Sequence, residues 1–137
     1  VRRKEADTHA QEMIERFRIR AGGASANTAS LSGGNAQKVI VAREVSANNR
    51  FLLASQPTRG VDIGAIEQIR KTLEQEKAKG CGILLISTEL EEIMSLSDRI
   101  LVMYEGKISA PIDAGTATEE QLGMLMLGGS AQEETRC

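Results

Sequence analysis

A hydroxyl and two glycines set directly before a helical pattern constrain this chain more than any other feature: Ser30-Leu31-Ser32-Gly33-Gly34-Asn35-Ala36-Gln37-Lys38. The apolar residues that follow, Val39, Ile40, Ala42 and Val45, recur at helical spacing, so the stretch reads as a loop feeding a helix N-terminus. Ser32 is placed to cap that helix, and the glycines leave the backbone open to close approach. The first N–H groups of a helix have no acceptor inside it, and the positive end of the dipole lies there. Such a turn serves either as an ordinary capped helix start or as a seat for an anion, most often phosphate.

The rest of the chain alternates helical and strand patterns. Ala10, Met13, Ile14 and Phe17 predict an amphipathic helix over about Asp7 to Phe17, ended by Gly22-Gly23 and a small polar loop from Ala24 to Ser30. The helix after the glycines should run from about Gly34 to Ser46, closed by Asn48-Asn49. Phe51-Leu52-Leu53-Ala54 and Ile83-Leu84-Leu85-Ile86 are continuous apolar runs, which predict buried parallel strands. Between them Ile66, Ile69 and Leu73 share one face of a helix from about Gly64 to Lys79, with Gly80 past its end. Strand, helix, strand makes a βαβ unit. Glu89 to Ser95 reads as a short helix. Ile100 to Tyr104 and Lys107 to Ala110 read as a hairpin around Glu105-Gly106. Thr118 with Gln121 opens a last helix through Leu127, and the tail after Gly128-Gly129 reads as disordered.

Composition narrows the function classes. With 137 residues the chain is one domain or part of one. Hydrophobic residues are 41% and aromatics only 2%, so the core is aliphatic. A net charge of -2 with interleaved signs offers no nucleic-acid stripe. Cys81 and Cys137 lie far apart without metal-ligand spacing, as in a reducing compartment. No apolar run is long enough to span a bilayer, and a first residue of Val1 rather than Met reads as an excised or processed piece.

Four stretches together resemble one family. Leu31-Ser32-Gly33-Gly34-Asn35 with Gln37-Lys38 is similar to the signature motif of ABC-type ATPases. Pro57-Thr58-Arg59-Gly60-Val61-Asp62 resembles the segment ending in that family's D-loop. Ser87-Thr88-Glu89-Leu90 stands where its switch-histidine loop would be. Asp98-Arg99-Ile100-Leu101-Val102-Met103 with Glu105-Gly106-Lys107-Ile108 resembles its closing hairpin. The motifs follow the family's order over roughly residues 10 to 127. The form with Asn35 and Arg59-Gly60-Val61-Asp62-Ile63-Gly64-Ala65 is most similar to the second ATP-binding half of simple-sugar and nucleoside importers.

The resemblance implies an α/β fold: part of a P-loop NTPase, with a parallel βαβ core, a C-terminal β-hairpin and a piece of the helical subdomain. On that pattern residues 1–30 end the helical subdomain, 31–112 carry the signature helix and the C-terminal part of the ATPase core, and 113–137 form a C-terminal helix and polar tail. It also implies ATP and magnesium as ligands of the parent protein, with an opposing ATP-binding half and membrane permease subunits as partners at the cytoplasmic face.

The departures from the pattern are as informative as the matches. The Gly-x-x-x-x-Gly-Lys-Ser/Thr loop that cradles phosphates does not occur, so this segment alone should not form a complete nucleotide site or hydrolyse ATP. Where the family has Asp-Glu after the first strand, this chain has Ser55 and Gln56. A serine lacks the charge that holds magnesium, and a glutamine amide cannot take a proton from water. Thr88 stands at the switch-histidine position, and the sole histidine, His9, sits on the first helix as a surface residue.

The expectation is therefore a division of labour. Catalytic groups are degenerate at Ser55, Gln56 and Thr88, no metal is held, and Leu31, Ser32, Gly33, Gly34 and Gln37 bind nucleotide in trans at the opposing half's site. Asp62 is expected to help couple the two sites across the interface or to cap the helix beginning near Ile63, and both roles can hold together. Arg59 reads as a surface or interface ion-pair residue, and Met124 and Met126 as packing. Exposed strand edges beside the absent P-loop strand should invite self-association. Two alternatives come from other classes: a soluble ABC-type protein acting in translation or DNA repair, and an interaction domain that binds no nucleotide.

Overall fold

A computed structural model describes residues 3–47 and 49–129. Asn48 of the expected helix stop and the tail beyond Gly129 lie outside the described residues. Packing divides the chain into two compact units that meet in sequence at Leu84 and Leu85. That boundary reflects packing; the divisions at residues 30 and 112 reflect motif order and stay a proposal about the parent.

The first unit opens with α1 (Arg3–Arg16), which starts earlier than its apolar residues indicated and buries none of its own side chains fully. The buried anchors come just after it: Phe17, 2% exposed, and Ile19. Arg18 between them has φ +51°, and the Ile19 N–H bonds the Ile14 carbonyl at 2.9 Å, turning the chain sharply so that both apolar residues point inward. Next comes α2 (Gly33–Ser46), with Gly34, Val41, Ala42 and Val45 buried. Its C-terminus is closed partly by Asn49, whose Nδ2 donates to the Glu44 carbonyl at 3.1 Å.

Strand β1 (Phe51–Ser55) pairs with β2 (Gly82–Ile86), and α3 (Ile63–Ala78) connects them, which makes the parallel βαβ core of an α/β fold. Buried Ala65, Ile69 and Leu73 form the inward stripe of α3. Its end follows from Gly80 at φ +88°: the Gly80 N–H bonds the Lys77 carbonyl at 2.9 Å and the Cys81 N–H bonds the Glu76 carbonyl at 3.1 Å. A residue with a Cβ would resist that left-handed backbone.

Burial of the strands differs from expectation. Both were read as covered on two faces, yet β1 alternates: Leu52 and Ala54 are buried while Phe51 and Leu53 are 60% and 57% exposed. On β2, Leu84 and Ile86 are also exposed. The reason is topological. This sheet has two strands among the described residues, too few for a second layer to cover its outer face.

The second unit holds α4 (Leu90–Leu96), four short strands and α5 (Glu119–Met126). Ile100, Val102, Leu122 and Leu125 form its core, with Leu90, Ile93, Met94 and Ile112 packed against them. Glu92 on α4 is fully buried, and neither carboxylate oxygen has a hydrogen-bond partner among the described residues. Such a group subtracts from stability.

The expected hairpin forms, but with a fault in it. Strand β4 (Met103–Tyr104) pairs with β5 (Lys107–Ile108) around Glu105 and Gly106, both at positive φ, as a two-residue turn requires. Strand β3 (Arg99–Ile100) pairs with β6 (Ile112–Asp113), beyond the expected end at Ala110. Between these two pairings the register slips by one residue, leaving one extra residue on the returning strand near Ser109–Pro111. Pro111 cannot donate to a ladder, and Ser109 Oγ instead accepts the Val102 N–H at 2.9 Å. The slip reverses the facing of the returning strand, so Ile112 joins the core while Ile108, paired with Met103, stays outside.

Candidate functional site

The site is a turn between two helix N-termini, and each helix is capped by its own side chain. Ser32 stands in extended backbone (φ -65°, ψ 157°) directly before α2. Its Oγ accepts the Asn35 backbone N–H at 3.4 Å and Asn35 Nδ2 at 2.8 Å. The Ala36 N–H closes the first turn on the Ser32 carbonyl at 2.9 Å. The N–H groups of Gly33 and Gly34 come first in the helix, where no intrahelical carbonyl can reach them. Ser32 and Gly33 are exposed, Gly34 is buried, and Leu31, Asn35 and Gln37 are half-buried. An exposed hydroxyl and a glycine N–H at the positive end of a 14-residue helix suit a phosphate-bearing ligand.

The neighbouring N-terminus belongs to α3. Asp62 caps it, with Oδ1 accepting the Ala65 N–H at 3.0 Å, so the plain capping role expected of this residue is present. The same carboxylate walls in the first turn of α2. A Cβ built on Gly34 would lie 2.8 Å from Asp62 Oδ2 and 3.4 Å from Ala65 Cβ. One built on Gly33 would face the Gly60 carbonyl oxygen at 3.7 Å. The structure therefore brings the Leu31–Gln37 turn and the Gly60–Asp62 segment together, and Gly34 is the residue that lets them meet.

The segment at the end of β1 is also shaped tightly. Gln56 has φ +49°, and the Arg59 N–H bonds its carbonyl at 3.2 Å across a turn in which Pro57 and Thr58 are buried. Ser55 is exposed and Gln56 half-buried. Arg59 is exposed. Among the described residues no group of three or more His, Cys, Asp or Glu side chains is placed to hold a metal ion. The pair Ser55 and Gln56 is neutral, so the residues present do not fit magnesium as a resident ion. Thr88 is exposed in the second unit, and His9 is exposed on α1.

Asn35 is the residue whose part was not legible from the motif. Its Oδ1 accepts the backbone N–H of Arg20, fifteen residues earlier, at 2.8 Å, while its Nδ2 holds Ser32. Lys38 reinforces the contact by reaching the Arg18 carbonyl at 3.4 Å. The available signal was position: a polar residue three after a serine cap occupies the reciprocal place of a capping box.

No protein-family model matches the chain. Individual relatives do. The nucleoside import ATP-binding protein NupA of Lactococcus lactis subsp. cremoris is 47% identical over 127 residues, covering 93% of this chain and 25% of that protein. The guanosine import ATP-binding protein NupO of Bacillus subtilis is 45% identical over 124 residues, 90% of this chain and 24% of the relative. The ribose import ATP-binding protein RbsA of Caldanaerobacter subterraneus is 42% identical over 118 residues, 86% of this chain and 24% of the relative. The chain thus spans about a quarter of the length of the curated relatives it matches.

Among solved structures, the ATP-binding cassette MJ0796, in a dimer bound to ADP and Pi, superposes with a TM-score of 0.69 at 23% identity, over 78% of this chain and 46% of that one. A nucleotide-free ATP-binding cassette from an ABC transporter gives 0.67 at 26% identity, over 80% of this chain and 43% of that one.

Proposed function

The chain belongs to the ABC-type ATP-binding proteins, and on that premise we propose that it is the signature-bearing part of an energy-coupling subunit of an importer for a simple sugar or a nucleoside. In this reading Leu31, Ser32, Gly33, Gly34 and Gln37 complete an ATP site whose phosphate-cradling loop and catalytic groups lie in an opposing half. Ser32 Oγ–H and the N-terminal amides of α2 contact the terminal phosphate. Asp62, besides capping α3, sits at the surface where the halves meet and couples the turn of α2 to it. The half that contains this chain is degenerate at Ser55, Gln56 and Thr88. Permease subunits are the membrane partners; no helix among the described residues is long and apolar enough to cross a bilayer itself.

One observation carries the proposal. The turn presents an exposed hydroxyl and glycine amides at a helix N-terminus, while Ser55 and Gln56 at the end of β1 are neutral. A site that grips phosphate without activating water is what a donating half requires. In the complete transporter, Ser32→Ala is expected to lower ATP hydrolysis about tenfold or more, the size of a lost hydrogen bond to a charged group. Gln56→Glu should change it by less than about twofold, since a carboxylate there would not touch the reacting phosphate. A strong Gln56→Glu effect beside a silent Ser32→Ala would reverse the assignment.

The exposed faces of β1 and β2 support a second element of the proposal. Phe51, Leu53 and Leu84 are exposed apolar residues of the first unit, on a sheet that has two strands among the described residues. The isolated 137-residue chain should self-associate through it. Sedimentation should show a concentration-dependent dimer or larger species that Leu53→Lys with Leu84→Lys weakens. A monomer at all concentrations would dispose of the idea.

A further inference from the structure

The oxygen of the Ser32 hydroxyl receives two donors from Asn35, and what orients the Asn35 amide lies outside the turn itself. The Arg20 backbone N–H can only donate, so the Asn35 side chain must turn its amide oxygen to it, at 2.8 Å. That choice leaves the amide NH2 facing Ser32, where Nδ2 donates to Oγ at 2.8 Å. The Asn35 main-chain N–H donates to the same oxygen at 3.4 Å. Both lone pairs of Oγ are then engaged by donors, and a hydroxyl has only its proton left to offer. Ser32 is exposed, so that proton is within reach of a ligand from solvent.

We propose that Asn35 is a positioning residue that holds Ser32 as an obligate hydrogen-bond donor toward the phosphate of a nucleoside triphosphate, with the amide oriented by the Arg20 N–H. The inference rests on the reading of the turn as a phosphate-contacting element, and it adds what makes the serine a donor rather than an acceptor. A free serine rotor samples three staggered positions and can present a lone pair to an anion, which repels it. Here the acceptor capacity is filled in advance, so no reorientation is needed as phosphate arrives.

The arrangement also ties the turn to the segment after α1. Arg18, at φ +51°, supplies a carbonyl to Lys38, and Arg20 supplies the N–H to Asn35. A displacement of residues 18–20 would release the amide and with it the orientation of the hydroxyl.

The test uses full-length protein in its assembled transporter, reading kcat and KM for ATP together with thermal unfolding. Asn35→Asp keeps an acceptor for the Arg20 N–H but replaces the donor facing Ser32 with a second acceptor. The serine proton should then turn to the introduced carboxylate, away from the ligand. The expected loss in kcat/KM is about tenfold or more, with an unfolding midpoint close to that of the unmodified protein. Asn35→Ala removes both bonds, and should it unfold, the aspartate variant still gives the reading.

In a Ser32→Ala background the Asn35→Asp effect should nearly vanish, because the hydroxyl through which it acts is gone. An undiminished loss in that background would mean plain charge repulsion or distortion of the helix, and would overturn the positioning role. A Ser32→Ala variant with unchanged kcat/KM would instead overturn the reading of the turn itself, and this inference with it.

Discussion

Gly34→Ala is expected to reduce ATP-driven transport by more than about a hundredfold, the range seen when a donor that stabilises developing charge is displaced. A methyl group at this position would press on the carboxylate that caps α3. Its Cβ would stand 2.8 Å from Asp62 Oδ2, so the carboxylate must shift, while Ala65 Cβ at 3.4 Å is at the near edge of ordinary contact. The carboxylate is held by the Ala65 N–H at 3.0 Å as the cap of α3, and Ala65 is completely buried. A shift of that carboxylate strains the cap it makes through Oδ1, worth about 1 kcal/mol, and the alternative is movement of the first turn of α2 away from α3. Movement of the turn carries the Gly33 and Gly34 amides and the Ser32 hydroxyl out of place, which is why function should fall much further than stability. Transport and ATP hydrolysis measured beside thermal unfolding check this. A variant with normal hydrolysis would show that the turn of α2 does not act on nucleotide.

Gly128→Ala should cost about 3 kcal/mol of stability, whereas Gly106→Ala should cost about 1 kcal/mol. Both residues have positive φ, +87° and +75°, so both substitutions strain the backbone. They differ in surroundings. Around Gly106 a Cβ would meet nothing within 4 Å, while at Gly128 it would lie 2.6 Å from Tyr104 Cε1 and 2.9 Å from Cζ.

The backbone at Gly128 has no easy alternative. The Gly128 N–H bonds the Leu125 carbonyl at 3.1 Å and the Gly129 N–H bonds the Met124 carbonyl at 2.9 Å, which together finish α5. The Tyr104 ring that the methyl group would displace stands on β4, which contacts α5. Denaturant midpoints of the two variants, compared at equal m-value, check the ordering. Equal losses would mean that the ring yields freely.

Helix starts were legible because capping chemistry is local. Ser32, Asp62 and Thr118 each accept the N–H three residues on, and each could be read as a cap from its neighbours in sequence. Gly80 was legible as the residue past a helix for the same reason.

What could not be read depends on which parts of the chain meet in space. The apolar runs Phe51–Ala54 and Ile83–Ile86 announce strands, but one-sided burial follows from how many strands and layers surround them. The slip near Ser109–Pro111 needed both registers to be seen, although Pro111 was a warning that the ladder would break there. The motif around Ser32 identified the turn, but the bond from Arg20 to Asn35 spans fifteen residues and has no local signature. Nor does any pattern disclose that Gly34 is a glycine because Asp62 stands against it.

The central claim is that this segment completes a neighbour's nucleotide site and does not run its own. Vanadate trapping of a photoreactive ATP analogue in the full transporter, with the label assigned to one half or the other, tests it most directly. The account predicts that trapped label falls on the half opposing this chain and that Ser32→Ala removes it. Label trapped on the half that carries Ser55 and Gln56, or trapping that survives Ser32→Ala undiminished, would contradict it.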